Sequence, residues 1–124
     1  FELTKVIGKN DLKKTLEIVS YMSKNSKKYP LPLIVATVYS FFNRLFIYHS
    51  IDNKKEASKI LGINPYFIKE YHQASAIYPM KRISEIFDYL LEADKRSKGI
   101  DFDATNNEAI LNDLVYKIFN FNLE

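Results

Sequence analysis

The chain has 124 residues, of which 47% are hydrophobic and 27% are charged, and its formal net charge is +3. This length and balance are typical of one globular domain and exclude an intrinsically disordered chain. The absence of cysteine excludes a disulfide scaffold, a thiolate zinc site and a cysteine nucleophile, and it fits a reducing, cytoplasmic compartment. So small a net charge is not by itself the signature of a nucleic-acid-binding domain.

Apolar residues recur every three or four positions along the chain, which predicts an all-α fold, a compact bundle of about six to seven helices. Gly8, Gly62 and Gly99 each stand where a helix is expected to end in a left-handed residue. Pro65 and Pro79 stand where helices are expected to begin. The predicted helices cover residues 1–7, 33–49, 53–61, 64–77, 78–98 and 105–119. One further helix is predicted between the first two of these, with Asn10 as its cap and an apolar face at Leu12, Leu16, Val19 and Met22.

The predicted helix 33–49 carries two apolar stripes, whereas a helix at a protein surface usually carries one. Its polar strip is narrow and consists of Thr37, Ser40 and Arg44. This pattern predicts a helix that is buried on most sides, or that faces a partner as well as its own core. A membrane span is the alternative, but Asn43 and Arg44 in mid-helix argue against it because polar side chains are costly in a bilayer. The two stripes are Ile34, Val38, Phe41, Leu45 and Tyr48, and Val35, Tyr39, Phe42 and Phe46.

The predicted helix 78–98 has one inward stripe that ends in a carboxylate. Glu92 with Arg96, and Asp94 with Lys98, are acid–base pairs spaced i,i+4 in the favourable order. Asp94 continues the stripe and is expected at the edge of the core, where it needs a cationic partner, either Arg44 or Lys98. The inward positions of this helix are Ile83, Ile86, Phe87, Leu90 and Leu91, and those of the last helix are Ile110, Leu111, Leu114, Val115 and Ile118.

Residues that could support catalysis or bind a metal are few. His49 and His72 lie on different predicted helices, and Glu70 points away from His72 because it stands two residues earlier on the same helix. The sequence has no His-x-x-x-His pair, no serine elbow and no glycine-rich phosphate loop. We therefore expect no catalytic residue, no metal site and no cofactor. The alternative, a helical enzyme domain, requires one of the histidines to meet carboxylates in a pocket.

Residues 53–77 resemble a helix-turn-helix, since two predicted helices flank the turn at Gly62. A DNA-binding module that uses this corner is therefore an alternative function. The first turn of the second helix would then face the major groove, but it offers Pro65, Tyr66, Phe67 and Lys69 rather than the Arg, Asn or Gln that read base edges. We expect the aromatic residues to pack against the bundle instead.

Three stretches of the sequence carry a resemblance to a known family. They are Pro30-Leu31-Pro32-Leu33-Ile34 leading into Tyr39-Ser40-Phe41-Phe42, then Ile60-Leu61-Gly62-Ile63-Asn64-Pro65-Tyr66-Phe67, and finally Leu90-Leu91-Glu92-Ala93-Asp94 followed by Lys98-Gly99. In this order and spacing the chain resembles the C-terminal domain of the delta subunit of the bacterial DNA polymerase III clamp loader. The resemblance implies one helical domain over residues 1–124, with residues 1–9 leading in from a preceding module.

The resemblance further implies a scaffold with no chemistry of its own. In this family the C-terminal domains of five related subunits, including the gamma/tau and delta-prime types, associate in a helical collar that serves DNA replication. The sliding clamp is bound only through the N-terminal module, DNA contact is weak or indirect, no membrane is involved, and any polymerase activity belongs to the holoenzyme. Aromatic side chains are the usual anchors of an interface, which makes five residues candidates for subunit contact. They are Tyr39, Phe42, Phe46, Tyr116 and Phe119.

Overall fold

The computed structural model describes residues 2–99 and 107–119, and these residues form seven α-helices and no strand. The all-α prediction is therefore confirmed. The predicted start of the last helix, at about residue 105, lies outside the described residues. Short 3₁₀ turns at Lys54–Glu56 and Pro65–Phe67 precede two of the helices. The helices are α1 (Glu2–Gly8), α2 (Leu12–Ser23), α3 (Leu31–Ser50), α4 (Ala57–Leu61), α5 (Ile68–Ile77), α6 (Met80–Ser97) and α7 (Asn107–Phe119).

The turn between α1 and α2 differs from the prediction. Asn10, the predicted cap of α2, is instead the left-handed residue that follows α1, with φ of 62°. The N–H of Asn10 donates to the Ile7 carbonyl at 2.9 Å and that of Asp11 donates to the Val6 carbonyl at 3.0 Å, which is the Schellman arrangement of a helix end. Asp11 then caps α2, because its carboxylate accepts from the N–H of Lys14 at 3.0 Å.

Gly8, predicted as the left-handed end of α1, lies within the helix and is buried. A Cβ atom at this position would lie 3.1 Å from the Phe41 ring of α3. The glycine therefore allows α1 and α3 to approach closely instead of turning the chain. Gly62 does have the predicted left-handed conformation, with φ of 68°, and ends α4.

The central helix is α3, which packs against α1, α4, α5 and α6. It begins at Leu31, earlier than predicted, because a proline such as Pro32 is tolerated in the first turn, where its missing N–H has no helical partner. At the other end, Lys54 donates from Nζ to the carbonyl oxygens of Tyr48 at 2.5 Å and Ile51 at 2.7 Å. A cation thus lies at the negative end of the helix dipole.

Among the described residues, α3 is the helix that is long and apolar enough to cross a membrane, with a mean hydropathy of 1.4. Its neighbours in the bundle account for this composition. Ile34 is 1% exposed, and Phe42 and Leu45 are 0% exposed, because the helices packed around α3 cover them. The core helix of a soluble bundle needs the same apolar residues as a membrane span.

The helices close a ring around one continuous core. Along this ring α3 packs on α6, α6 on α7, α7 on α2, α2 on α1, and α1 on α5, which returns to α3. Buried apolar side chains from each of these helices form a single cluster. The inward stripe predicted for the last helix is buried throughout, which confirms that prediction.

Tyr78, in the turn between α5 and α6, connects several parts of this bundle. Its side chain is fully buried, and its hydroxyl donates to the Ile7 carbonyl of α1 at 2.8 Å. Its own carbonyl oxygen accepts from Nε2 of His49, on α3, at 2.7 Å. Its ring meets that of Phe42 edge to face at 5.1 Å, and the guanidinium of Arg82 lies 4.6 Å from its centroid. One residue thus fixes α1, α3 and α6 relative to one another.

Arg82 is a buried cation at the contact between α6 and α7. It donates from Nη2 to the carbonyl oxygen of Ile118, in the last turn of α7. Burial lowers the pKa of its guanidinium. The carbonyl oxygen and the Tyr78 ring compensate in part for the lost hydration.

Ion pairs on the surface also join α6 to α7. Glu92 accepts from Lys117 Nζ at 2.6 Å, and Arg96 pairs with Asp113 at 3.1 Å. Lys117 also contacts Asp113 at 3.1 Å, so the four side chains form one network. Glu92 and Arg96 therefore each have a partner on α7, which the i,i+4 spacing along α6 did not predict.

The substitution Tyr78→Phe is expected to lower the free energy of unfolding by about 1 kcal/mol, because it removes a buried hydrogen bond to the Ile7 carbonyl, which keeps the N–H of Asn10 as its other donor. Urea denaturation followed by circular dichroism measures this change. Tyr116→Phe is the matched control, since Tyr116 is 45% exposed, and a change within about 0.5 kcal/mol is expected there. An equal loss in both variants, or none in either, would contradict the role given to Tyr78.

Stability is expected to fall as the pH rises above about 10. Burial raises the pKa of Tyr78, Tyr71 and Tyr48 in the folded chain. The unfolded chain then loses these protons at a lower pH than the folded chain, so the contribution is complete below pH ~10 and is lost above it. Urea titrations from pH 8 to pH 11 test this. The alkaline loss should be smaller in Tyr78→Phe, and an unchanged loss counts against the assignment.

Candidate subunit interface

The five aromatic residues predicted for subunit contact do not share one surface. Phe42 is 0% exposed and Phe119 is 8% exposed, so both belong to the core and leave almost no surface for a partner. We correct the prediction for these two residues on that steric ground. Tyr39 and Tyr116 are about half exposed and Phe46 is partly buried, and these three stay candidates.

Tyr39 and Phe46 belong to an aromatic patch that spans α3 and α6. The Phe87 ring of α6 lies between them, 5.4 Å from the ring of Tyr39 and 5.8 Å from that of Phe46. We define Tyr39, Phe46 and Phe87 as the aromatic patch. Leu91, one turn after Phe87, is 55% exposed. Tyr116 lies on α7 and has no ring contact with the patch in the described part of the chain.

Phe87 and Leu91 were predicted to point inward, and this prediction is wrong for Leu91. On a helix with about 100° per residue, the predicted stripe from Ile86 to Leu91 spans about 140°, wider than the arc that a surface helix usually buries. Ile83, Ile86 and Leu90 take the core positions, with exposures of 2% or less. The excess width of the stripe was the signal in the sequence that could have revealed this surface.

The ion pair predicted for Asp94 forms with Lys98, at 3.0 Å, and Asp94 is partly buried as its place in the stripe indicates. Arg44, the other predicted partner, lies elsewhere. Its guanidinium is near the Tyr71 hydroxyl, where burial raises the pKa of that tyrosine and the positive charge of Arg44 partly offsets the rise. The pair of Asp94 and Lys98 lies near the end of α6.

A cleft of about 570 Å³ lies between α1, α3 and the start of α5. The polar strip of α3, which is Thr37, Ser40 and Arg44, lines one wall. The floor contains Tyr71, whose ring stacks on that of Phe41 at 5.3 Å. The volume suits a small ligand or part of a peptide.

Tyr66 and Phe67 stand at the rim of this cleft, 80% and 45% exposed, so the expectation that they pack against the bundle is wrong. The reason is local. The 3₁₀ turn that Asn64 caps, by accepting from the N–H of Tyr66 at 2.9 Å, places both aromatic residues before α5 and off the helix face that buries Tyr71 and Ala74. Their exposure adds no reader of base edges to the helix-turn-helix-like corner.

The two histidines have structural partners on different sides of α3. His49 donates to the carbonyl oxygen of Tyr78, and Nδ1 of His72 shares a hydrogen bond with the Tyr48 hydroxyl at 2.9 Å. Neither histidine lines the cleft. Within residues 2–99 and 107–119 no group of three or more His, Asp or Glu side chains could hold a metal ion.

Alanine substitutions should distinguish Phe42, in the core, from Tyr39, which is half exposed, by the loss of unfolding free energy that each causes. Phe42→Ala is expected to lower the free energy of unfolding by about 3–5 kcal/mol, because it leaves a cavity in the core. Tyr39→Ala should cost less than about 1 kcal/mol, because nearly half of that side chain is exposed. Chemical denaturation of both variants measures the difference, and similar losses would show that Tyr39 is part of the core.

The comparison with known proteins gives one result. The family described as DNA polymerase III delta subunit, C-terminal domain, matches residues 1–117. No curated protein and no solved structure matches the chain. The matched residues cover nearly the whole chain, including the aromatic patch and the cleft. The chain therefore belongs to the family of C-terminal domains of the DNA polymerase III delta subunit, a part of the clamp loader that serves DNA replication.

Proposed function

We propose that this domain is a scaffold that joins the delta subunit to the C-terminal domains of neighbouring clamp-loader subunits, of the gamma/tau and delta-prime type, in a cytoplasmic collar. The aromatic patch of Tyr39, Phe46 and Phe87 carries this proposal. The rings of Tyr39 and Phe46 each contact that of Phe87, and with Leu91 beside them they give the domain an apolar surface beyond its own core. Such surfaces are typical of binding sites for other proteins.

The patch is held on rigid elements, which lowers the entropic cost of binding a partner. Both α3 and α6 are tied to Tyr78, through His49 and Phe42 on one side and Arg82 on the other. The rings of the patch therefore do not have to become ordered when a neighbour docks. Aromatic anchors that are positioned in advance are the usual centres of binding energy in an interface.

The proposed role is binding and not catalysis. The side chain of His49 is hydrogen-bonded to the Tyr78 carbonyl oxygen and that of His72 to the Tyr48 hydroxyl, and neither histidine lines the cleft. The sliding clamp is bound, in this proposal, by the N-terminal module of the subunit, and this domain holds that module in the assembly.

Size-exclusion chromatography of the chain with the purified C-terminal domains of the other clamp-loader subunits tests the proposal. A joint peak at moderate salt is expected. In the double variant Tyr39→Ala, Phe46→Ala the affinity should fall at least about tenfold, as for residues at the centre of an interface.

Tyr66→Ala is the matched control, because it removes an aromatic ring that is 80% exposed and lies outside the aromatic patch. It should leave the joint peak unchanged. Elution of the chain alone, while the partner domains assemble with one another, would overturn the scaffold proposal. Equal weakening by the double variant and by the control would overturn the assignment of the patch.

A further inference from the structure

The connection between α2 and α3 is unusually basic. No Asp or Glu stands between Glu17 and Asp52, whereas Lys24, Lys27 and Lys28 lie within this stretch. All three lysines are exposed, and none of them forms an ion pair within the described part of the chain. We name residues 24–29 together with Tyr21 the basic loop. The basic loop itself contains no acidic residue, although the net charge of the whole chain is small.

The basic loop is held in place by its own hydrogen bonds. The N–H of Lys28 donates to the Asn25 carbonyl at 3.1 Å, and that of Tyr29 donates to the same oxygen at 2.9 Å. The side-chain amide of Asn25 donates to the carbonyl oxygen of Tyr21 at 2.8 Å. The lysines therefore project from a folded turn and not from an unstructured linker.

Two tyrosine rings accompany these charges. The rings of Tyr21 and Tyr29 lie 6.1 Å apart, and the Nζ atom of Lys28 lies 5.4 Å from the centroid of Tyr29. Tyr29 is partly buried and packs against the core, which anchors the pair. Tyr21 is 57% exposed, so its ring is available to a ligand.

We propose that the basic loop binds single-stranded nucleic acid, with its three lysines on successive phosphates and the Tyr21 ring stacked on a base. Cations that follow the backbone and aromatic rings that stack on bases are the two features that single-strand sites combine. A duplex offers the phosphates but keeps its bases stacked, so the ring contact favours a single strand. This activity is separate from the scaffold role, because the loop shares no residue with the aromatic patch.

A second cluster of exposed lysines provides a comparison. Lys55, Lys59 and Lys69 lie at the helix-turn-helix-like corner, where Glu56 and Glu70 are interspersed with them. These acids reduce the attraction for phosphate, and the basic loop has none. The loop is therefore the stronger candidate of the two.

Fluorescence anisotropy with labelled oligo(dT), oligo(rU) and a DNA duplex of equal length tests the proposal on the whole chain. Binding to the single strands should be tighter than to the duplex, and the logarithm of the binding constant should fall with the logarithm of salt concentration with a slope of about −2 for three phosphates. Similar affinity for oligo(dT) and oligo(rU) is expected because stacking on Tyr21 does not read the sugar. Equal or tighter binding to the duplex would overturn the proposal.

Variants locate the site. The triple change Lys24→Gln, Lys27→Gln, Lys28→Gln should weaken oligo(dT) binding at least about tenfold and remove most of the salt slope. Tyr21→Ala should weaken it at least about fivefold, since one stacked base is lost. The first control is the triple change Lys55→Gln, Lys59→Gln, Lys69→Gln, which removes the same amount of charge at the helix-turn-helix-like corner. The second control is Tyr66→Ala, which removes an exposed ring outside the basic loop.

Both controls should bind as the unsubstituted chain does. If the triple change at the helix-turn-helix-like corner lowers the affinity for oligo(dT) more than the triple change in the basic loop does, the proposal is overturned in favour of the corner. Full retention of binding in Tyr21→Ala overturns the stacking contact. Competition by polyglutamate as effective as that by unlabelled oligo(dT) overturns the choice of ligand and points to an acidic protein. Co-elution with clamp-loader subunits is measured independently, so failure here leaves the scaffold proposal unaffected.

Discussion

The hydrogen bond from the Tyr78 hydroxyl to the Ile7 carbonyl is the contact on which the arrangement of this bundle depends. It joins residues far apart in the sequence, in the interior, where an unpaired tyrosine hydroxyl is costly. The backbone carbonyl of the same residue accepts from His49, and its ring lies beside the guanidinium of Arg82, so polar partners from α1, α3 and α6 meet at one residue. Apolar packing alone would stabilise many similar arrangements of helices, whereas these directed contacts select one of them.

With α3 fixed in this way, its exposed sides can serve different purposes. The polar strip that contains Arg44 faces the cleft, and Tyr39 and Phe46 face the opposite way, about 140–160° around the helix. The buried stripe lies between them. A single helix therefore provides the core, one wall of a cleft and half of the aromatic patch, which explains why its sequence is apolar on most sides.

The sequence predicted the helices and the buried stripes well, because periodicity depends on the helix itself. It failed where the answer depends on a neighbouring element. Phe42 and Tyr39 stand on the same predicted stripe, yet only the packing of α6 and the position of Tyr78 decide that the first is buried and the second exposed. The partners of Glu92 could not be predicted either, since they come from α7. Asp11 rather than Asn10 caps α2, because Asn10 belongs to the Schellman turn that ends α1. The periodicity of apolar residues carries no information about such a turn. Of the candidate site, the sequence indicated Tyr39 and Phe46 but not that Phe87 joins them.

The contact between α2 and α7 has a consequence for the order in which the protein is made. The ribosome completes α2 early and α7 last, so the side of α2 that α7 covers stays without its partner during most of synthesis. Val19 and Met22, which are buried in the finished domain, belong to this early helix. The nascent chain can form local helices and the pair of α1 and α2, but the ring cannot close before the last helix leaves the exit tunnel. Folding of this domain therefore cannot be completed until α7 has left the exit tunnel, and its apolar surfaces need protection until then.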